Sequence, residues 1–272
     1  MYYTQILPRM GHPAGANHYD HATTRILSAV STDGVNWTPE PGVRLTPEQG
    51  GAGAFRVVSS EVVPMPDGSG RLRMYFESCR GTQSTQNSIR SALSEDGGLT
   101  WSVEDGHRLL IGEGNVMAPR IIFTDNGLVR LYVTQRTVGV ISAISTDGGV
   151  VFAVEGPRLP EHLSAFAPEI VRQPEGGYRM YYVSFVLDQP PTEGGGQQIV
   201  SASSTDGLDW RLDGAVVVPD GNGPDAVKAS EMCLFQLPAG AVEGMYGMVY
   251  EGCDGTAPNA RGVWRIARAF AQ

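Results

Sequence analysis

Apolar residues along this chain fall in short runs, each about as long as a β-strand. Three of these runs are RLRMYFES (71–78), LVRLYVTQ (128–135) and GYRMYYVS (177–184). Each follows a run such as APRIIFT (118–124) or APEIVRQ (167–173) and precedes one such as IRSAL or VISAI. Turn residues such as Pro66-Asp67-Gly68 separate the first two runs of a group. This pattern predicts β-strands in groups of three or more.

A short polar motif follows the third strand of each group. In each copy we expect the Asp carboxylate to accept backbone N–H groups about two residues further on, and Gly to take the positive φ of the turn. Because the motif occurs once per group, we interpret it as a structural device and not as a calcium or substrate site. The four copies are Ser31 to Trp37, Ser94 to Trp101, Ser145 to Phe152 and Ser204 to Trp210.

The order of elements predicts an all-β chain with four antiparallel strands in each repeat. Radial repetition of such units is a β-propeller, and the sequence predicts five blades in one domain spanning residues 1–272. The predicted blades cover about 1–45, 57–110, 115–160, 164–219 and 227–270. The first blade shows no candidate for its innermost strand, and the fifth shows none for its outermost strand.

Composition narrows the function classes. Gly (35) and Pro (18) are abundant, as tight turns require, and the net charge is −9. Only Lys228 among the 20 basic residues is a lysine, and no basic run is present, so we expect no nucleic-acid partner. No apolar stretch approaches the ~20 residues of a membrane helix, so we expect no membrane partner. The start of the chain lacks a secretory signal pattern, which favours a cytoplasmic location.

Cysteine usage fits a reduced compartment. Three cysteines are too few for a disulfide framework. Cys79 and Cys253 follow Glu77 and Glu251 in equivalent strands, and their blades are not neighbours, so we expect no disulfide between them. Cys233, within the apolar run MCLF, is predicted to lie in the core.

The repeats resemble those of known families. The copies at Ser94 and Ser145 match the Asp-box of sialidases, S-x-D-x-G-x-x-[W/F]. The shorter copies, together with APEIV (167–171) and GYRMYY (177–182), resemble the blades of five-bladed glycoside hydrolases of the arabinanase, invertase and mannoside-phosphorylase type. The resemblance covers nearly the whole chain, and its motifs are specific for the fold more than for the chemistry.

Strand direction predicts which residues share the face of a site. The starts of the first strands, the ends of the second strands and the loop after them should meet on one face. Glycoside hydrolysis requires two carboxyls, one of them protonated. The catalytic candidates are therefore Glu61, Glu169, Glu231, Asp20 and His18. The substrate-binding candidates are Arg120, His21, His12, Glu77, Glu251, Arg80 and Arg136.

The resemblance implies roles for some candidates. In the resembling hydrolases an Asp of the first blade is base or nucleophile, a second Asp adjusts the pKa, and a Glu is the acid. Here Glu169 or Glu231 takes the place of the acid, and Glu61 replaces the second Asp. Asp20 is the candidate substitute for the first Asp. The structural alternative for each glutamate is an ion pair with an arginine such as Arg120.

We expect neither a metal nor a cofactor. The histidines of residues 12–21 lack a metal-ligand spacing, and the chain has no phosphate loop or dinucleotide fingerprint. The expected partner is a sugar or another small molecule, and the oligomeric state is left open.

Three functions stay open at this point. The first is a carbohydrate-active enzyme, hydrolytic or phosphorolytic, acting through channel carboxyls. The second is a propeller recruited to lyase, isomerase or cyclase chemistry on a small natural product, with His or Glu as acid and base. The third is a sugar- or anion-binding propeller without catalysis.

Overall fold

The computed structural model of the chain describes residues 1–11, 22–80, 87–112, 115–159, 165–185, 196–236, 246–255 and 264–271. The described part is built from strands, with short 3-10 turns at Pro47–Gly50 and Gly223–Asp225. It divides into two compact units. The first contains Met1–Val30, Trp37–Thr137 and Ile141–Gly156, and the second contains Ser31–Asn36, Val138–Val140 and Pro157–Gln272.

The first unit holds three antiparallel sheets, except that residues 139–140 of the last sheet belong to the second unit. One has three strands, β1 (Tyr2–Pro8), β2 (Ala22–Val30) and β3 (Thr38–Pro39). The next has four, β4 (Arg56–Pro64), β5 (Leu72–Cys79), β6 (Asn87–Ser94) and β7 (Ser102–Val103). The last also has four, β8 (Val116–Phe123), β9 (Val129–Gln135), β10 (Gly139–Ser145) and β11 (Ala153–Pro157).

The second unit holds one connected sheet of seven strands. Its first part is β12 (Phe166–Arg172), β13 (Tyr178–Phe185), β14 (Gln197–Ser204) and β15 (Arg211–Val217). Its second part is β16 (Lys228–Gln236), β17 (Tyr246–Cys253) and β18 (Trp264–Ala271). A single parallel pair, Gln197 with Lys228, joins the two parts. The prediction of an all-β chain with four-stranded antiparallel sheets is confirmed.

The Asp-Gly turns have the hydrogen bonds that the sequence predicts. In the two shorter copies Asp33 and Asp206 accept the backbone N–H groups two and three residues further on, at 2.7–3.0 Å. In the two longer copies the extra Gly moves the donors to three and four residues further on, at 2.9–3.1 Å. Hydrogen bonds from Thr100 hold the pKa of Asp96 well below its usual range. These carboxylates therefore serve their own turns.

Aromatic side chains tie each turn to the preceding sheet of the first unit. The Tyr2 hydroxyl donates to the Gly98 carbonyl at 3.3 Å, and the Tyr75 hydroxyl donates to the Gly149 carbonyl at 3.0 Å. Trp101 packs edge-on against Tyr2, with ring centroids 5.8 Å apart. It also joins an apolar cluster that includes Ile26, Leu45, Val57, Met74, Phe76 and Ala92. The aromatic residue that ends the motif is thus part of the core.

Carboxylates of the outermost strands form a second repeated contact. A serine of the third strand donates to an acidic residue in the fourth strand or directly after it, and an arginine of the second strand pairs with the same carboxylate. In β4–β7 these residues are Ser91, Glu104 and Arg73, and the Arg73–Glu104 ion pair measures 3.0 Å. The equivalents are Ser142, Glu155 and Arg130 in β8–β11, and Ser203, Asp213 and Arg179 in β12–β15.

Gly149 is expected to be intolerant of a side chain. Its φ is +89°, and a Cβ atom there would overlap the buried Tyr75 hydroxyl, whereas a Cβ at Gly148 (φ +78°) would meet no atom within 4 Å. We expect Gly148→Ala to lower the free energy of unfolding by about 1 kcal/mol through backbone strain alone. Gly149→Ala should lower it by about 3 kcal/mol, because overpacking adds to that strain. Urea denaturation measures both, and equal losses would contradict the contact.

β-Bulges interrupt the first strand of successive sheets. Ser59, Ala118 and Ala167 have φ values of +52°, +51° and +48°, and at each the register with the second strand shifts. A bulge turns the strand and redirects the side chains that follow it. In β16 the shift lies between Ser230 and Met232.

No helix in the described segments is long and apolar enough to cross a membrane.

Candidate active site

The bulges set the positions of the first-strand candidates. After the bulge, Glu61 pairs with Tyr75, Arg120 with Tyr132, and Glu169 with Tyr181. Glu231 differs, because it is itself the extra residue of the bulge between Ser230 and Met232. The expectation that Glu231 is equivalent to Glu61 and Glu169 is therefore not met in the strand register. The matching letters SSE, APE and ASE do not show this difference, which amounts to two residues in the strand ladder.

In the pairing of β16 with β17, Cys233 has the position that Glu61 has in β4, and the sequence assigns that position to Glu231. Cys233 pairs with Val249, which lies two residues before Glu251, just as Tyr75 lies two residues before Glu77. The prediction that Cys233 lies in the core is wrong, since its side chain is exposed. All three cysteines are free thiols, as expected, and Cys79 and Cys253 are buried.

Glu61 and Glu169 each bind the backbone of a later first strand. Glu61 Oε1 accepts the Ile121 N–H of β8 at 3.5 Å, and Glu169 Oε1 accepts the Leu234 N–H of β16 at 3.0 Å. Arg120 and Cys233 have the same position in the pairing of their strands, and Ile121 and Leu234 are the residues that follow them. The two glutamates therefore bind equivalent N–H groups on β8 and β16. Glu169 is only 7% exposed.

A basic residue, a Glu and a Cys recur at one end of two strand pairs. In both pairs the cation lies opposite the Cys, and the Glu lies two residues before that Cys. The residues are Arg56, Glu77 and Cys79 on β4 and β5, and Lys228, Glu251 and Cys253 on β16 and β17. The two glutamates therefore have the same position in the strand ladder, and only their surroundings differ.

Glu77 has donors for its buried carboxylate. Its side chain is 2% exposed. Asn87 Nδ2 donates to it at 2.8 Å and Cys79 Sγ at 3.2 Å. A buried carboxylate needs such partners, and these bonds mark Glu77 as a structural residue. Sequence reasoning missed Asn87, although its place opposite Cys79 at the start of β6 follows from the repeat.

Glu251 has different surroundings at the same ladder position. Trp264 stands opposite Cys253, where the other pair has Asn87. Burial, and after it the like charge of Glu231, raise the pKa of Glu251 to about 8. Glu251 is half-buried, whereas Glu231 is exposed. The raised pKa favours the protonated form of Glu251, and the Glu231 carboxyl group lies close enough to contribute to it.

Lys228 and Asp225 lie near the same end of β17. Lys228 is 6% exposed, and burial lowers the pKa of its ammonium group. The Tyr250 hydroxyl donates to Asp225 Oδ2 at 2.7 Å, and burial raises the pKa of Tyr250. Because Tyr250 and Glu251 are consecutive in a strand, their side chains lie on opposite faces of the sheet. Lys228, Ser230 and Glu251 lie on one face.

The remaining candidates are distributed as follows. Arg120 is half-buried and donates to the Pro119 carbonyl at 2.8 Å. Arg80 and Arg136 are exposed in the first unit. His12, His18, Asp20 and His21 lie outside the described residues. Within the described segments, no three His, Cys, Asp or Glu side chains are grouped so that they could hold a metal ion.

Solved structures share this fold over nearly the whole chain. A glycoside hydrolase matches with a TM-score of 0.72 at 14% identity, over 100% of this chain and 88% of its own. The RS223 β-xylosidase matches with a TM-score of 0.66 at 15% identity, over 98% of this chain and 87% of its own. An exo-1,5-α-L-arabinanase from a bovine ruminal metagenomic library has a TM-score of 0.61 at 12% identity, with coverage of 98% and 88%.

The fold is therefore that of the β-propeller glycoside hydrolases, as the sequence motifs predict. The sequence itself matches no protein-family model and no functionally curated protein. Identities of 12–15% establish the fold alone.

Proposed function

We propose that the protein cleaves a glycosidic bond, with Glu251 as the proton donor and Glu231 as the partner carboxylate. The observation that carries the proposal is a pair of carboxyl groups at one β-bulge, of which Glu251 has its pKa raised to about 8. Two carboxyls in environments that drive their pKa values apart are the requirement for an acid and its partner at neutral pH.

Each carboxyl has a distinct task in this reaction. Glu251, protonated at pH 7, donates its proton to the glycosidic oxygen as the bond to the anomeric carbon breaks. Glu231, exposed to the substrate side, stabilises the positive charge at that carbon. Depending on the carboxyl separation, Glu231 either activates a water molecule that attacks the carbon, or attacks the carbon itself. In the second course water then hydrolyses the glycosyl-enzyme, with the ionised Glu251 as base. The stereochemistry of the product distinguishes these two courses.

The finer description of the fold belongs to the same proposal. We propose one domain of five blades whose first blade lacks its innermost strand. The sheets β1–β3, β4–β7, β8–β11, β12–β15 and β16–β18 would be those blades. The three-stranded sheet β1–β3 and the match to propeller hydrolases over 98–100% of the chain support this arrangement.

A sugar is the proposed substrate. The chain shares its fold with enzymes named as a xylosidase and an arabinanase, and the net charge of −9 disfavours a strongly anionic polymer. The non-hydrolytic and the binding functions derived from the sequence are outcomes of the test below. No second function is proposed, because the histidine segment on which it depends lies outside the described residues.

The test is turnover of a panel of aryl and alkyl glycosides, with and without phosphate, by wild type and Glu175→Gln. Glu175 is an exposed glutamate in the hairpin between β12 and β13, and its replacement should leave turnover within about twofold. We expect hydrolysis of at least one pentoside or hexoside, and proton NMR of the product gives its anomeric configuration. A folded protein that turns over none of the panel would contradict the proposal.

A further inference from the structure

We infer that Glu169 is a positioning residue for the Glu231–Glu251 pair and does not itself supply the proton. It holds the backbone of β16 just beyond the bulge that contains Glu231. This inference rests on the proposed function for its consequence in catalysis, but its first readout, the titration of Glu251, does not require turnover.

The contact is direct and partly buried. Glu169 Oε1 accepts the Leu234 N–H at 3.0 Å, and the two residues are 65 positions apart in the chain. β16 pairs with β17 along one edge, and along the other its pairing in the described segments is the single residue pair Gln197–Lys228. The Glu169 carboxylate therefore accepts the Leu234 N–H in place of the backbone carbonyl of a neighbouring strand. A partly buried N–H that loses its acceptor is destabilised, so the contact restrains the strand.

The same device occurs where no carboxyl pair is present. Glu61 accepts the Ile121 N–H of β8 at 3.5 Å, at the ladder position that corresponds to Leu234. Arg120, which precedes Ile121, stands opposite Tyr132, and β8 carries no acidic residue. Because the contact occurs twice, we interpret it as part of the fold: a glutamate at this position binds the first strand of the following sheet. The contact affects catalysis only where the strand that is bound carries a catalytic residue.

β16 carries Glu231, one member of the acid pair, and it pairs with β17, which carries Glu251. Leu234 lies three residues after Glu231, and Ser230, at the start of the bulge, pairs with Glu251. If the N–H of Leu234 loses its acceptor, the bulge is free to relax, and Glu231 moves relative to Glu251. The like charge of Glu231 is one of the two causes that raise the pKa of Glu251, so this movement lowers that pKa.

The experiment compares Glu169→Ala, Glu169→Gln and Glu61→Ala. In glutamate-labelled protein, isotope-edited infrared spectra follow the Glu251 carboxyl, identified by subtracting the Glu251→Gln spectrum. We expect Glu169→Ala to lower the Glu251 pKa by about one unit. Glu169→Gln keeps an acceptor oxygen, so it should leave that pKa and turnover nearly unchanged. Glu61→Ala should leave the Glu251 titration unchanged.

The outcomes separate the possibilities. A loss of about 10³-fold in kcat for Glu169→Gln, with the Glu251 pKa intact, would make Glu169 the acid and overturn the inference. An unchanged Glu251 pKa in Glu169→Ala would overturn it as well. If Glu169→Ala does not fold, Glu169→Asp, which is one methylene shorter, gives the same comparison. Failure of the proposed function is seen separately, as an ordinary Glu251 pKa in wild type or as no turnover.

Discussion

Glu251→Gln is expected to lower kcat for glycosides with poor leaving groups by about 10³-fold, because positioned acid catalysis contributes about 10²–10⁴. The glutamine side chain has nearly the same shape but no acidic proton to donate, so binding should be retained and KM should change little. Nitrophenyl glycosides, whose leaving group needs no proton, should lose much less. Steady-state kinetics on a matched pair of alkyl and nitrophenyl substrates measures the difference.

Glu77→Gln is the matched control for this variant. Glu77 has the same ladder position in β5, but it is a buried carboxylate held by Asn87 and Cys79. We expect this change to reduce stability by about 1–2 kcal/mol and to leave kcat unaffected at a temperature where the variant is folded. If both variants, or neither, lost activity on alkyl glycosides, the assignment of Glu251 as the acid would be wrong.

Glu231→Gln should have the second large effect, and it should act in two ways. Loss of the partner carboxylate is expected to reduce kcat by about 10²–10⁴-fold on both alkyl and nitrophenyl glycosides. Removal of the like charge should also lower the pKa of Glu251, which burial alone would still hold above its ordinary value. The wild-type rate should fall as the pH rises through about 8, because the acid loses its proton, and in the variant this fall should begin at lower pH.

The pH–rate profiles of wild type and Glu231→Gln give both quantities in one experiment. Cys233→Ala provides a control on the same strand, since Cys233 is exposed and lies two residues from Glu231. An alkaline limb at the same pH in wild type and Glu231→Gln would mean that the two carboxyls are not coupled. The description of the pair would then be wrong.

The sequence is sufficient to predict the antiparallel β-strands and the Asp-Gly turns of the described segments. Its repeats place a strand wherever a short apolar run precedes a turn residue, and they assign Asp96 and its equivalents to their own turns. The predicted absence of a bond between Cys79 and Cys253 is also confirmed. These features are local, and each depends on residues within a few positions of one another.

The site depends on contacts that the sequence does not display. Matching letters make Glu231 look equivalent to Glu61 and Glu169, but in the strand ladder that position belongs to Cys233, two residues after Glu231. For Glu251 the sequence predicts only substrate binding, because its shifted pKa depends on burial and on Glu231, and neither follows from spacing. The Leu234 contact of Glu169 spans 65 positions, so only the folded chain reveals it.

Direct titration of the Glu251 carboxyl in the wild-type protein tests the central claim. Isotope-edited infrared spectra from about pH 4 to about pH 10, with the Glu251→Gln spectra subtracted, isolate its protonated band. The account predicts that this band persists at pH 7 and disappears with a midpoint of about 8. A midpoint near 4.5, the ordinary value for a glutamate, would leave Glu251 ionised at neutral pH and contradict its role as the acid.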